Sequence, residues 1–177
     1  LFQKPESILV MKKQILVTGG AGYIGAHMVR VLKENGYSPV VFDNLSTGYR
    51  EFVPKGVPFF KGDLRNECDI RQVFKRHHFS AVIHFAASLI VSESAADPLK
   101  YYDNNVCGSL NLIKIMLKHS VNEIIFSSTG VVYGESERMP LIEGASTNPI
   151  SPYGKTKLMV EKILEDVDRA TPLRYVA

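Results

Sequence analysis

Short, nearly continuous apolar runs alternate along this chain with longer stretches whose apolar positions recur every three or four residues. The first run, Ile15-Leu16-Val17, reads as a buried strand that ends in glycines. From Gly22 to Asn35, apolar residues at Tyr23, Ile24, Met28, Val31 and Leu32 fall close to helical spacing. Asn35-Gly36 supplies the stop, because both residues tolerate the left-handed backbone of a helix end. Pro39 to Phe42 predicts a second strand ending in Asp43, and Val57 to Lys61 a third, followed by Gly62-Asp63-Leu64. Asn66 to about His77 predicts a helix with Ile70, Val73 and Phe74 inward. Ala81 to Phe85 is a fourth strand, almost wholly apolar, as expected when both faces of a sheet are covered. Pro98 to His119 predicts a long helix with a buried stripe of Leu99, Tyr102, Val106, Leu110, Ile113 and Leu117. Glu123 to Phe126 is a fifth strand, Gly130 to Pro152 is loop-rich, and Tyr153 to about Asp168 returns to a helix.

Strand alternating with helix argues for an α/β fold, a doubly wound parallel sheet of Rossmann type with helices on both faces. Such sheets bind ligands beyond the carboxyl ends of their strands, where the strand order reverses. With 177 residues the chain is one ordinary domain or a large part of a two-domain protein. Its net charge of +3 is mild and its basic residues are scattered, which gives nucleic-acid binding little support. No apolar run reaches the roughly 20 residues that span a bilayer. Cys68 and Cys107 have neither metal-ligand nor redox spacing, so no metal is expected and a reducing, cytoplasmic setting is. Met11 looks like a natural start, and Leu1 to Val10 is read as an upstream extension outside the fold. The organised domain is then expected over residues 11–177.

The strand ends carry the candidate chemistry. Gly19, Gly22 and Gly25 repeat at a three-residue spacing, and Gly20 to Gly25 also reads as Gly-x-Gly-x-x-Gly. Glycines at a strand-to-helix turn let the backbone approach a pyrophosphate, and the new helix offers its free N–H groups to the phosphates. Asp43 follows at about the 20-residue distance where an acid accepts the hydroxyls of an adenosine ribose. A carboxylate there repels a 2′-phosphate and so favours NAD over NADP, although Arg50, past the turn at Ser46-Thr47-Gly48, could soften that preference. Asp63 could accept from an adenine amino group or merely cap the following helix. Phe85-Ala86-Ala87 offers small residues where the linking part of a dinucleotide would pass. His84 reads as a satisfied strand-end histidine, and His77-His78 as a solvated helix terminus. Asn104 and Asn105 are poor helix formers inside a helix, so an inward amide must bond either loop backbone or cofactor.

Tyr153 and Lys157 stand four apart on one face of the last helix. A tyrosine, with an ordinary pKa near 10, is a poor base at neutral pH. An ammonium one turn away and a positively charged nicotinamide nearby would both favour the phenolate. Thr129, after the fifth strand, can orient a substrate oxygen, and the three together suit proton and hydride movement at an alcohol carbon.

Thr-Gly-Gly-Ala-Gly-Tyr-Ile-Gly, Phe-Asp-Asn-Leu-Ser-Thr-Gly, Gly-Asp-Leu-Arg-Asn, Val-Ile-His-Phe-Ala-Ala, Tyr-Tyr-Asp-Asn-Asn-Val, Phe-Ser-Ser-Thr and Ser-Pro-Tyr-Gly-Lys-Thr-Lys occur in that order between Lys13 and Lys157. In these segments the chain resembles the UDP-glucose 4-epimerase family, a branch of the extended short-chain dehydrogenases/reductases. The resemblance implies bound NAD and a UDP-sugar substrate. It implies that Tyr153 is the base, that Lys157 lowers its pKa and binds the nicotinamide ribose, and that Thr129 bonds the sugar's 4-hydroxyl. A hydride passes from the sugar to the nicotinamide, and the 4-keto sugar turns over and takes it back on its other face. Tyr23, Ile24, Asp43, Asn44, Leu45, Ser46, Thr47, Gly48, Asp63, Leu64, Phe85, Ala86, Ala87 and Asn104 match the family's cofactor positions. Leu89 stands where some members have a cofactor-reaching lysine. Related dehydratases carry an acid pair beside the position of Thr129, where this chain has Gly130-Val131. The family is roughly twice as long, so the resemblance leaves Ala177 in a sixth strand just begun at Leu173-Arg174-Tyr175, with the sugar-enclosing part outside these residues. It also implies a homodimer through the helices at Pro98–His119 and Tyr153–Asp168.

Overall fold

The computed structural model describes residues 13–135 and 139–177, so the proposed start at Met11 and the extension Leu1–Val10 lie outside the described residues. Six parallel strands are β1 (Gln14–Thr18), β2 (Ser38–Asp43), β3 (Phe59–Lys61), β4 (Phe79–His84), β5 (Glu123–Phe126) and β6 (Arg174–Val176). They lie in the order β3-β2-β1-β4-β5-β6, so the chain steps outward from β1 to one edge and then resumes on β1's other side. This is the doubly wound order expected from the alternation of elements, with its reversal between β1 and β4.

The helices are α1 (Tyr23–Glu34), α2 (Glu67–Arg76), α3 (Val91–Ala96), α4 (Pro98–Tyr101), α5 (Gly108–Lys118) and α6 (Pro152–Ala170). Two apolar cores flank the sheet. One gathers Leu16, Val40, Ile70, Val73, Phe74, Leu112, Met116, Val160 and Leu164, from α2, α5 and α6 and the strand residues that face them. The other gathers Val17, Val29, Leu32, Val41 and Ile83, under α1. Central strands buried on both faces explain the unbroken apolar runs in the sequence. In α2 the predicted inward residues Ile70, Val73 and Phe74 are all buried, and Asn66 is the N-cap, accepting from the Cys68 N–H at 3.0 Å.

Two helices bury faces that only partly match the ones their apolar spacing suggests, Leu32, Val106 and Ile113 being common to the expected and the buried faces. In α1 the buried residues are Gly25, Ala26, Val29 and Leu32, whereas Tyr23 and Ile24 are 78% and 60% exposed. Small residues let the helix lie close on the strands, and the two large side chains stand at its exposed first turn. The predicted helix Pro98–His119 is interrupted by a π-helical segment, Tyr102–Cys107, between α4 and α5. A π-turn holds one more residue than an α-turn and so rotates the faces on either side of it. The buried stripe is Tyr101, Asn105, Val106, Ser109, Leu112, Ile113 and Met116, which keeps Val106 and Ile113 of the predicted one; Tyr102, Leu110 and Leu117 pack partly buried against the core, and Leu99 is 78% exposed.

A buried polar chain joins the sheet to these helices. Ser109 Oγ donates to the Asn105 carbonyl, so it accepts from His84 Nε2 at 2.9 Å. His84 Nδ1 then accepts from the Thr18 hydroxyl at 2.7 Å, which fixes the neutral tautomer. His84 is therefore a satisfied structural histidine at the strand end. Burial, and to a lesser degree the charge of Lys157, pushes its pKa down to about 3. Between pH 6.5 and about 3 the unfolded chain binds a proton at His84 that the folded chain does not, so stability falls as the pH falls through that window. Urea unfolding of the wild-type chain should carry up to ~1.4 kcal/mol per pH unit from this group there, and His84→Asn should remove that part of the slope.

Candidate functional site

At the reversal point the strand ends open into a cleft of about 450 Å³. Its floor is the turn from β1 into α1. Gly19 has φ +70°, and a Cβ there would lie 2.6 Å from the Ala86 backbone nitrogen. At Gly25 a Cβ would lie 2.1 Å from the Gly19 carbonyl oxygen, so α1 can fold back over the turn only with a glycine at that place. Gly22 is the N-cap of α1 and makes no side-chain capping bond, and the first turn contains no acidic residue. The helix N-terminus thus faces the cleft with its positive dipole end unmasked.

Asp43, at the end of β2, is 8% exposed and pins this turn. Its Oδ2 accepts from the Ala21 N–H at 3.0 Å and its Oδ1 from the Leu45 N–H at 2.8 Å. The second bond holds Leu45 at φ +60° and starts the loop Asn44–Gly48, whose next turn is closed by the Ser46 N–H on Asn44 Oδ1 at 2.9 Å. Beyond lie Asp63 and Leu64, after β3. Arg65 donates to both Asp63 oxygens, Asn44 adds a bond at 3.1 Å, and these contacts hold the Asp63 carboxyl well below the ordinary carboxylate range. Asp63 does not cap α2; Asn66 does, so that alternative from the sequence falls away.

The opposite end of the cleft is built on α6. Tyr153 and Lys157 both line it. Lys157 is 3% exposed, donates to the Ser127 carbonyl at 2.7 Å, and lies 4.7 Å from the centre of the Phe126 ring. Burial pushes its pKa down to about 8, with Glu161 one turn further along α6 pulling the other way. Glu161 also accepts from the Ser128 hydroxyl, which ties the end of β5 to the same helix face. Behind Tyr153 stands Tyr101, edge-on, with ring centres 6.5 Å apart. Tyr101 has its hydroxyl 2.7 Å from both the Ile90 carbonyl and Glu93, and burial followed by the Glu93 carboxylate raises its pKa to about 12.

Asn105 fastens this end together. Its Nδ2 donates to the Ser88 carbonyl at 3.0 Å and to Thr156 Oγ1 at 3.1 Å, and its Oδ1 accepts from the Ser88 N–H at 2.8 Å. Thr156 in turn donates to the Tyr153 carbonyl at 2.7 Å. The two adjacent asparagines thus divide the alternatives left open by the sequence: Asn105 bonds loop backbone, while Asn104 lines the cleft.

Gly19, Gly22, Tyr23, Ile24, Gly25, Asp43, Asn44, Ser46, Thr47, Gly48, Asp63, Leu64, Phe85, Ala86, Ala87, Asn104, Tyr153 and Lys157 all line this one cleft. Leu45 and Thr129 do not. Leu45 packs against the core under α1, and the Thr129 oxygen accepts from the Val131 N–H at 3.3 Å at the start of a 3₁₀ turn. Phe42, Gly62, Leu89, Ser127 and Ser128 line the cleft as well. Glu161 gains a role that a motif reading passes over, though it repeats the four-residue step from Tyr153 to Lys157. Among the described residues no cluster of metal-ligating side chains forms and no helix is long and apolar enough to cross a membrane.

Residues 15–177 match the family described as "NAD dependent epimerase/dehydratase family". A UDP-glucose 4-epimerase of Azospirillum brasilense is 45% identical over 163 residues, 92% of this chain and 47% of that protein. The crystal structure of UDP-glucose 4-epimerase from Brucella ovis in complex with NAD superposes with a TM-score of 0.90 at 45% identity, covering 93% of this chain and 50% of the other. The enzyme of Thermotoga maritima, solved with UDP-glucose, gives 0.88 at 40% identity, over 92% and 53%. The chain spans about half the length of these relatives.

The depressed pKa of Lys157 has a measurable consequence. Between about pH 8 and 10.5 the unfolded chain retains a proton that the ligand-free fold has lost, so stability should rise with pH across that interval. Lys157→Met should flatten the rise, as read from urea midpoints at pH 7.5 and 10.

Proposed function

The chain belongs to the NAD dependent epimerase/dehydratase family, and on that premise we propose that it carries the NAD-binding and acid–base residues of a UDP-glucose 4-epimerase, inverting C4 of a UDP-hexose through a 4-keto sugar. The observation that carries the reading is a single cleft walled at one end by the glycine turn and Asp43 and at the other by Tyr153 and Lys157. Since the matched relatives are about twice as long, we assign residues 11–177 the cofactor half of the work and leave enclosure of the sugar to sequence outside this chain.

The residues present fit a dinucleotide. Gly19 and Gly25 keep side chains out of the turn where a Cβ would collide, Gly22 sits where one would be tight, and the uncapped α1 N-terminus suits a pyrophosphate. Asp43 spends one acceptor site per oxygen on backbone, which leaves a lone pair on each for the adenosine ribose hydroxyls. Asn44, Ser46, Thr47 and Gly48 border that ribose, Asp63 and Leu64 the adenine, and Phe85, Ala86, Ala87 and Asn104 the linking region. When bound, NAD supplies the acceptor and later the donor of the sugar's C4 hydride.

The chain's own part is to hold and move a proton. Tyr153 takes the proton of the sugar's 4-hydroxyl and returns it, since the hydroxyl of its neighbour Tyr101 is committed to Ile90 and Glu93. Lys157, anchored on Ser127, places an ammonium one turn from Tyr153 with further N–H bonds to offer the nicotinamide ribose. Thr129 lies outside the dinucleotide wall, which suits a hydroxyl assigned to the sugar. Gly130-Val131 beside it supplies no acid pair, and this weighs against a dehydratase. The exposed Leu99 and Met159 support the reading of α4–α5 and α6 as a face for a second copy. The free thiols Cys68 and Cys107 support a cytoplasmic setting.

Mass spectrometry of the purified chain should detect released NAD, and an assay with UDP-galactose should give slow formation of UDP-glucose that Tyr153→Phe removes without loss of NAD. No NAD in the purified chain, and no affinity when it is added, would sink the reading. Affinity for NAD should exceed that for NADP by about tenfold or more, with Asp43→Ser narrowing the gap.

A further inference from the structure

The acid after β3 is gripped by a residue that is not itself in the cleft wall. Arg65 donates to Asp63 three times, from its backbone N–H and Nε to Oδ1 at 2.9 and 3.0 Å and from Nη2 to Oδ2 at 2.7 Å. Its Nη1 lies 3.6 Å from Asp103 Oδ2, in the π-helical segment one residue before Asn104. The guanidinium is thus held between an acid of the wall and an acid of the helix behind it, and its planar fork fixes the plane of the Asp63 carboxylate. The fourth donor to that carboxylate is the neutral Asn44 amide, at 3.1 Å.

A carboxylate accepts along about four lone-pair directions and donates along none. Three are taken here by Arg65, two of them by charge-assisted bonds from its fork, and one by a neutral amide. An N–H arriving from the cleft competes with the amide, because the fork is the stronger contact. A carbonyl oxygen arriving at the same place meets lone pairs with no proton to share and is repelled.

We propose that Arg65 is a positioning residue for base selectivity: by fixing the Asp63 carboxylate as an acceptor at the adenine end of the cleft, it admits a purine with an amino group at C6 and refuses one with an oxygen there. The inference rests on the dinucleotide reading of the cleft. Arg65 touches neither base nor ribose in this account and acts only through Asp63.

The test is calorimetric titration of the ligand-stripped chain with NAD and with nicotinamide hypoxanthine dinucleotide, in which C6 carries an oxygen in place of the amino group and N1 gains a proton. The wild-type chain should prefer NAD by about tenfold or more, the worth of one hydrogen bond to a charged acceptor. Arg65→Met should still bind NAD, more weakly, with the preference reduced to about threefold or less. Arg65→Lys, which keeps the charge and cannot fork, should fall between the two and serves if the methionine variant does not fold. A general loss of structure would weaken both dinucleotides alike and leave their ratio unmoved, so the ratio separates positioning from folding. An unchanged ratio in Arg65→Met, a Lys variant equal to wild type, or a wild-type chain that binds both dinucleotides equally would each overturn the inference while leaving NAD binding intact. A wild-type chain that binds neither would overturn the cofactor reading, and this inference with it.

Discussion

A line of buried hydrogen bonds holds the two halves of the cleft in register: Thr18 to His84, His84 to Ser109, Ser109 to the Asn105 backbone, and the Asn105 side chain to Thr156. It starts at the last residue of β1, the strand that feeds the glycine turn, and ends on α6 between Tyr153 and Lys157. Apolar packing alone would allow α6 to slide or rotate slightly on the sheet, because dispersion contacts have little directional preference. Hydrogen bonds between buried groups do not allow it, since a broken one leaves a desolvated donor or acceptor. No described buried side-chain nitrogen or oxygen lacks a partner, so the chain of bonds is complete as well as long.

The same logic explains why charge is unevenly distributed around the cleft. At the end beyond β3 Asp63 and Arg65 are paired at the surface, 24% and 46% exposed, where water shares the cost of their charges. At the other end Lys157 is buried against Phe126 with a carbonyl as its direct partner, and the low-dielectric setting weakens its hold on a proton. One end holds its charges in a solvated pair, the other holds a single buried cation.

Much of the fold was legible in the sequence because a doubly wound sheet writes itself as apolar runs ended by glycine or acid. Asp43 and the glycine turn could be paired from spacing alone, since the length of one strand–helix–strand unit is set by geometry. What stayed hidden depended on contacts remote in sequence. The inward face of α1 is made of Gly25, Ala26, Val29 and Leu32, and small residues carry little weight in a hydrophobic pattern. The π-turn after Pro98 is not legible because no residue type announces one. Ser109 and Thr156 carry no apolar signal, and the partners of the inward Asn105 amide lie remote from it in sequence. Glu161 and Arg65 act on other side chains rather than on a ligand, and motif spacing is silent about that kind of role.

The π-turn itself sets a limit on how this chain can vary in length. Tyr102–Cys107 carries Asn104 into the cleft wall, Asn105 into the polar chain and Asp103 onto Arg65, all within one turn. Removing a single residue there would relax the segment to an ordinary α-turn and rotate everything after it by about 100°. Leu112, Ile113 and Met116 would swing out of the core as Asn104 left the cleft wall and Asn105 the polar chain. A one-residue deletion in most surface helices costs a local readjustment. Here it would break the packing and the cleft wall together, so the length of this stretch is constrained even where the identity of its exposed residues, such as Cys107, is not.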